Sequence, residues 1–170
     1  MSFLAEKEIN FTNEKSSDII NHVLKNHHRL LKEELPEIEE LVLTIYRVHF
    51  EDSGEVLEKV HRLFGRLKIE LESHMIQEER SLFYMVKDYK RDQSDKSLKD
   101  ILEAIERIER LNERVEKILK DLREVTEEYT LLDDTCPTYK KTYNKIQKIE
   151  RDIKEHFELE NMLYNRFKNK

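Results

Sequence analysis

The stretch HMIQEER, residues 74–80, sets His74 and Glu78 four residues apart, and EHFELEN, residues 155–161, repeats that spacing with His156 and Glu160. On an α-helix an i, i+4 pair points both side chains the same way. Each pair also falls on the apolar stripe of its own segment. One stripe reads Val60, Leu63, Leu67, Leu71, His74, Glu78, Ser81, Met85, and the other Ile146, Ile149, Ile153, His156, Glu160, Leu163, Phe167. Such groups in a dry interior need compensation, because an unpaired buried carboxylate is costly or must take up a proton. A metal ion supplies it: imidazole nitrogens bind first-row metals, and a carboxylate on each of two facing helices can bridge a pair of ions. A single HxxxE is common by chance, whereas two copies at equal height on facing helices point to ligation. The plain alternative is a polar layer in which each histidine pairs with a glutamate and fixes helix register.

What holds these pairs must be helical. The 170 residues are 40% charged and include only two glycines and two prolines, too few for many turns. Three polar breaks, FEDSGE at 50–55, RDQSDKS at 91–97 and TLLDDTCPT at 130–138, carry helix-start chemistry. Asp52 with Glu55 and Ser97 with Asp100 have capping-box spacing, and Pro137 suits a first helical position. The implied helices run over about 17–50, 54–90, 97–129 and 137–168, with a kink at Pro36. The expected fold is therefore all-α: an antiparallel up-down-up-down four-helix bundle over residues 17–170, preceded by a flexible tail over residues 1–16.

In that bundle, residues equally far from a turn lie at one height. From a turn near residue 52, His28 is 24 residues before and His74 is 22 after. From one near residue 93, His74 and Asn112 are each 19 away, and from one near residue 134, Asn112 and His156 are each 22 away. Every helix thus brings a polar stripe residue to the same layer. The candidate metal ligands are His28, His74, Glu78, His156 and Glu160.

The remaining chemistry-bearing residues fit less well. His27 points about 100° away from His28 and is read as a surface or supporting residue. His22 is read as peripheral. His49 shares a stripe with His28 but lies roughly 31 Å along a straight helix from it, near the first turn with His61. Cys136, the only cysteine, sits at a helix start that favours a thiolate but has no second cysteine to resolve it. A single cysteine fits a reducing cytoplasm. The net charge of -6, with Lys and Arg spread along the chain, argues against nucleic acid or an anionic membrane as partner. No stretch approaches the roughly 20 apolar residues of a membrane span.

At these residues the sequence resembles the hemerythrin-like domain of the repair of iron centres family, di-iron proteins linked to recovery of iron–sulfur clusters after nitrosative and oxidative stress. The likeness runs through DIINHVLKNHHRLLKEELPEI, ELESHMIQEERSLFYM, DDTCPTYKKTYNKI and DIKEHFELENMLY, over nearly all of residues 17–170. It implies iron as cofactor, His28, His74 and His156 as histidine ligands, and Glu78 and Glu160 as bridging carboxylates. Three departures stand out. Where the family carries a third-helix histidine, this chain has Leu111 and Asn112. One metal position thereby loses its neutral donor unless Asn112, Glu109 or Glu113 replaces it, and one ion is then held weakly or not at all. No proline follows the aromatic after each HxxxE, so both helices are expected to run on. Residues 1–16 carry no cysteine and are not expected to supply the family's small cysteine-bearing leading domain. The leading expectation is a cytoplasmic non-haem di-iron protein that meets oxygen or nitric oxide and serves iron–sulfur client proteins under stress. The alternatives are a reversible oxygen or nitric oxide binder or sensor, and a metal-free bundle that binds another protein.

Overall fold

The computed structural model describes residues 11–170. Its helices form four rods, and no strand occurs among the described residues. The first rod joins α1 (Ser16–His22), a π-helical segment (Val23–His28) and α2 (Arg29–Val48). The second joins α3 (Phe50–Gln77), a π-helical segment (Glu78–Leu82) and α4 (Phe83–Asp88). The third is α5 (Asp95–Val125) and the fourth α6 (Pro137–Lys168). Contacts of α2 with α3 and α6, and of α5 with α3 and α6, close the ring of the expected four-helix bundle.

Each rod buries a stripe with steps of three and four, as Leu31, Leu35, Ile38, Val42 and Ile45 do on α2. Those stripes meet in two apolar clusters rather than one. Toward the His49 turn lies a cluster that includes Leu35, Ile38, Leu67, Leu71, Val115, Leu119 and Ile153. Toward the chain ends lies another, with Ile19, Val23, Phe83, Ile105, Ile108, Leu163 and Tyr164. The buried polar residues His28, His74, Glu78, Asn112, His156 and Glu160 fall at the sequence boundary between the two clusters on all four rods.

Several boundaries move from the sequence expectation, each for a local reason. The first reversal is made by His49 alone (φ -105, ψ 24), so FEDSGE is helical rather than a break. Its Glu51 and Asp52 sit in the first turn of α3, where the helix dipole favours acidic side chains. Ser94, not Ser97, caps α5: its Oγ accepts the Ser97 N–H at 3.1 Å. The helix runs unbroken past Pro36, which lies on the exposed face. α5 stops at Val125 because Glu127, Glu128 and Tyr129 take φ of 50, 59 and 58, left-handed values that cost roughly 1–2 kcal/mol per residue. Thr126 and Arg123 hold that turn: Thr126 Oγ1 accepts the Tyr129 N–H at 3.0 Å, and the Arg123 guanidinium lies 5.3 Å over the Tyr129 ring. Cys136 caps α6 with Pro137 at its start, as expected. Of the proposed flexible tail, residues 1–10 lie outside the described residues. Phe11–Asn13 form a short 3-10 turn, and the Phe11 carbonyl accepts from Arg166 at 3.2 Å.

Candidate metal centre

His28 closes the first π-helical segment, and Glu78 opens the second. A π turn holds one more residue than an α turn and so re-aims the side chains that follow, and such turns cluster at functional sites. The five candidate ligands come together: His28, His74, Glu78, His156 and Glu160 are all buried, and one donor atom of each lies within 4.8 Å of the others. Glu78 Oε2 is 3.0 Å from His28 Nε2 and 3.0 Å from His74 Nε2, while His156 Nε2 is 3.9 Å away. Glu160 Oε1 is 3.0 Å from His74 Nε2 and in direct contact with His156 Nε2. His28 Nε2 and His156 Nε2 face each other at 3.1 Å.

The opposite edge of the His28 ring explains what this crowding asks for. Nδ1 donates to Glu79 Oε1 at 2.8 Å, which places the proton of a neutral imidazole there and leaves the Nε2 lone pair pointing inward. Inward it meets the Glu78 oxygen and the second imidazole nitrogen, an assembly of acceptors that a cation or shared protons must hold together. Without a metal, protons serve. Burial would lower the His156 imidazole, but the adjoining Glu160 carboxylate outweighs it and raises the group to about 9. Burial acts the same way on His74, and Glu160 with Glu78 hold it well above the usual histidine range. Glu78 is pulled the other way: burial would raise it, yet the His74 charge and hydrogen bonds from His156 and His74 keep it well below the carboxylate range. Two protons balancing two carboxylates is also the charge of one divalent cation, and the donor set suits a first-row metal. The residues therefore fit a metal.

Outside this group the sequence expectations fare unevenly. Asn112 is buried, and its Oδ1 has no hydrogen-bond partner. Neither substitute acid reaches the group: Glu109 is tied to Lys168, and Glu113 is exposed. Of the two readings of His27 the supporting one holds: it is buried, its Nδ1 donates to Asp152 Oδ1 at 2.9 Å and its ring stacks 5.4 Å from that of His156. His22 is half-buried against Phe11, and His61 stacks on Tyr46. His49 lies far along the first rod, as expected, with Nε2 3.1 Å from Cys136 Sγ. Both helices run on without proline: α4 ends at Asp88 and α6 at Lys168.

Three contributors escaped the sequence reading. Glu79 orients His28 and is itself held by Lys32 Nζ at 2.7 Å. Asp152 holds His27 against His156. Tyr164, fully buried, donates its hydroxyl to Glu78 Oε1; burial, then the Glu160 and Glu78 charges, push its phenol well above the usual range, so it stays a donor. One signal was available for Tyr164, which follows Glu160 by four residues on a stripe that places it in the interior, where a phenol needs a partner.

Comparison with known proteins bears on this arrangement. The hemerythrin HHE cation binding domain matches residues 19–167. The chain is 30% identical over 145 residues to the iron-sulfur cluster repair protein YtfE of Salmonella paratyphi B, and equally to that of Salmonella newport. Each match covers 85% of this chain but 62% of the relative, so the chain spans less than two thirds of the curated proteins it resembles.

Proposed function

Because the chain belongs to the hemerythrin HHE cation-binding family, we propose that its buried cluster is a non-haem iron centre that protects or repairs iron–sulfur proteins under nitrosative or oxidative stress. His28, His74 and His156 donate through Nε2, and Glu78 and Glu160 supply the carboxylate oxygens. The observation that carries this reading is the convergence of those five buried donors within 4.8 Å, on rods whose other buried residues are almost all apolar. Iron held there supplies redox chemistry and affinity for small diatomic ligands such as oxygen and nitric oxide.

The chain's own residues do the rest. Glu79 keeps the His28 proton on the outer nitrogen, so the inner lone pair stays available. Phe83 stacks on His28 at 5.9 Å, and Phe157 lies 5.4 Å from His74, which keeps bulk water off the imidazoles. Asp152 and His27 buttress His156 from outside. The relatives' name motivates the repair role and with it iron–sulfur proteins as clients and the cytoplasm as the place of action. No helix among the described residues is long and apolar enough to cross a membrane.

Two experiments test the proposal. Elemental analysis of the protein as isolated should find iron, and finding no transition metal after growth in iron-replete medium would refute the centre. The iron-loaded protein should then speed recovery of an iron–sulfur enzyme damaged by nitric oxide, and the chelated protein should not. Equal recovery with and without metal would refute the repair role.

A further inference from the structure

The five donors come from three rods only: His28 from the first, His74 and Glu78 from the second, His156 and Glu160 from the fourth. α5 supplies none of them. Its polar residue at that layer, Asn112, is buried, and Asn112 Oδ1 has no hydrogen-bond partner. The side of the cluster turned toward α5 therefore lacks an imidazole or carboxylate, and it is the side where an incoming ligand displaces no protein donor. A groove of about 370 Å³ lies between α5 and α6, a size ordinary for a small-molecule site. Its floor is made by Leu119, Ile153 and Phe157, all buried. The Phe157 ring also lies 5.4 Å from that of His74 and 5.7 Å from that of His156. One aromatic side chain thus touches the groove on one side and two of the donor imidazoles on the other.

We propose that the α5–α6 groove is the entry route by which small neutral molecules reach the cluster, with Phe157 as its gate. The inference rests on the metal-centre reading above and adds the path by which oxygen or nitric oxide arrives. The chemistry of the groove selects for neutral molecules. On its rim Glu116 and Glu158 balance Lys120 and Lys154, and the Arg123 guanidinium is already paired with Glu150 at 2.7 Å. An ion crossing the apolar floor would lose its hydration with nothing to replace it, a cost that a neutral diatomic avoids. The other cleft beside α5 near this layer, lined by Gln77, Ser81, Leu82, Ala104, Arg107 and Ile108, holds only about 120 Å³. Because Phe157 obstructs transit rather than the final position of the ligand, it governs the rates of entry and exit more than the affinity.

Two measurements test the route, the first without any metal. Xenon settles in apolar cavities, so crystals of the metal-free full-length chain under xenon pressure should show their strongest anomalous peak against Leu119, Ile153 and Phe157. A strongest peak in the Ile108 cleft, or none in the α5–α6 groove, would overturn the inference. The second is stopped-flow binding of nitric oxide to the ferrous-loaded protein. Phe157→Ala should speed association and dissociation alike by roughly tenfold, the change for about 1.4 kcal/mol of barrier. Asn161→Trp, an exposed position on the groove, should slow both by covering the mouth. An unchanged association rate in either folded variant would overturn the inference. Should Phe157→Ala not fold, Asn161→Trp and the xenon positions decide. Failure of the unaltered chain to bind iron would refute the metal centre itself, and the xenon peaks would then judge the groove alone.

Discussion

The two apolar halves that flank the polar layer are built on different terms. Toward the His49 turn the rods are uninterrupted α-helix, packed through aliphatic stripes such as Leu35, Ile38, Val42 on α2 and Leu67, Leu71 on α3. Toward the chain ends lie both π-helical segments, and the buried Tyr164 reaches back to a ligand from that side. Regular helix is enough to hold four rods together. Among the described residues the two π-helical segments are the ones that hold His28 and Glu78, so the first half acts as scaffold and the second as the tuned part.

That contrast can be broken most severely at the ligands. His74→Ala combined with His156→Ala should abolish iron retention in the purified protein. It should also lower the melting temperature, because removing the imidazoles strands buried Glu78 and Glu160, and breaking a buried ionic pair costs on the order of 3–5 kcal/mol. Undiminished iron content would remove both residues from the ligand set.

Cavities sharpen the comparison. Leu67→Ala in the scaffold half and Leu163→Ala in the tuned half should each cost roughly 2–5 kcal/mol in denaturant unfolding. Only Leu163→Ala, beside Tyr164 and three residues from Glu160, should also weaken iron binding. Equal loss of affinity in both variants would erase the distinction between the halves.

Acidity has a sign that follows from the imidazoles. In the metal-free protein His74 is held well above the usual 6.5 and His156 at about 9. Groups raised on folding stabilise fully below the unfolded value and lose that contribution as pH rises through the folded one. The metal-free melting temperature should therefore fall between about pH 7 and pH 9. Iron affinity should rise over the same interval, since the metal displaces those protons. An affinity independent of pH there would contradict the donor assignment. The smallest effect belongs to Glu79→Gln, which keeps an acceptor for His28 but removes the charge; iron affinity should drop by about tenfold.

Much of this was legible in the sequence, and the misses have physical causes. Stripe periodicity exposed the four rods, because apolar faces must bury whatever the details of the turns. Equal counting from the turns found the shared layer of His28, His74, Asn112 and His156, because rise per residue is nearly constant. The same counting could not find the π-helical segments, which leave no mark in a single sequence, nor the one-residue reversal at His49. Glu79 and Asp152 were hidden for a different reason: each acts across rods, on His28 and His27, so its role depends on packing rather than on spacing along its own helix; the spacing of Tyr164 after Glu160 marks it as interior, but only packing gives its partner Glu78. Asn112 was seen as a departure, but only the fold shows that neither Glu109 nor Glu113 fills in for it.

The most direct test is anomalous diffraction from crystals of the iron-loaded protein, with data collected on both sides of the iron absorption edge. The dominant anomalous peak should lie within bonding distance of the Nε2 atoms of His28, His74 and His156 and of the facing oxygens of Glu78 and Glu160. A peak elsewhere in the molecule, with those five side chains still paired only to one another, would contradict the account.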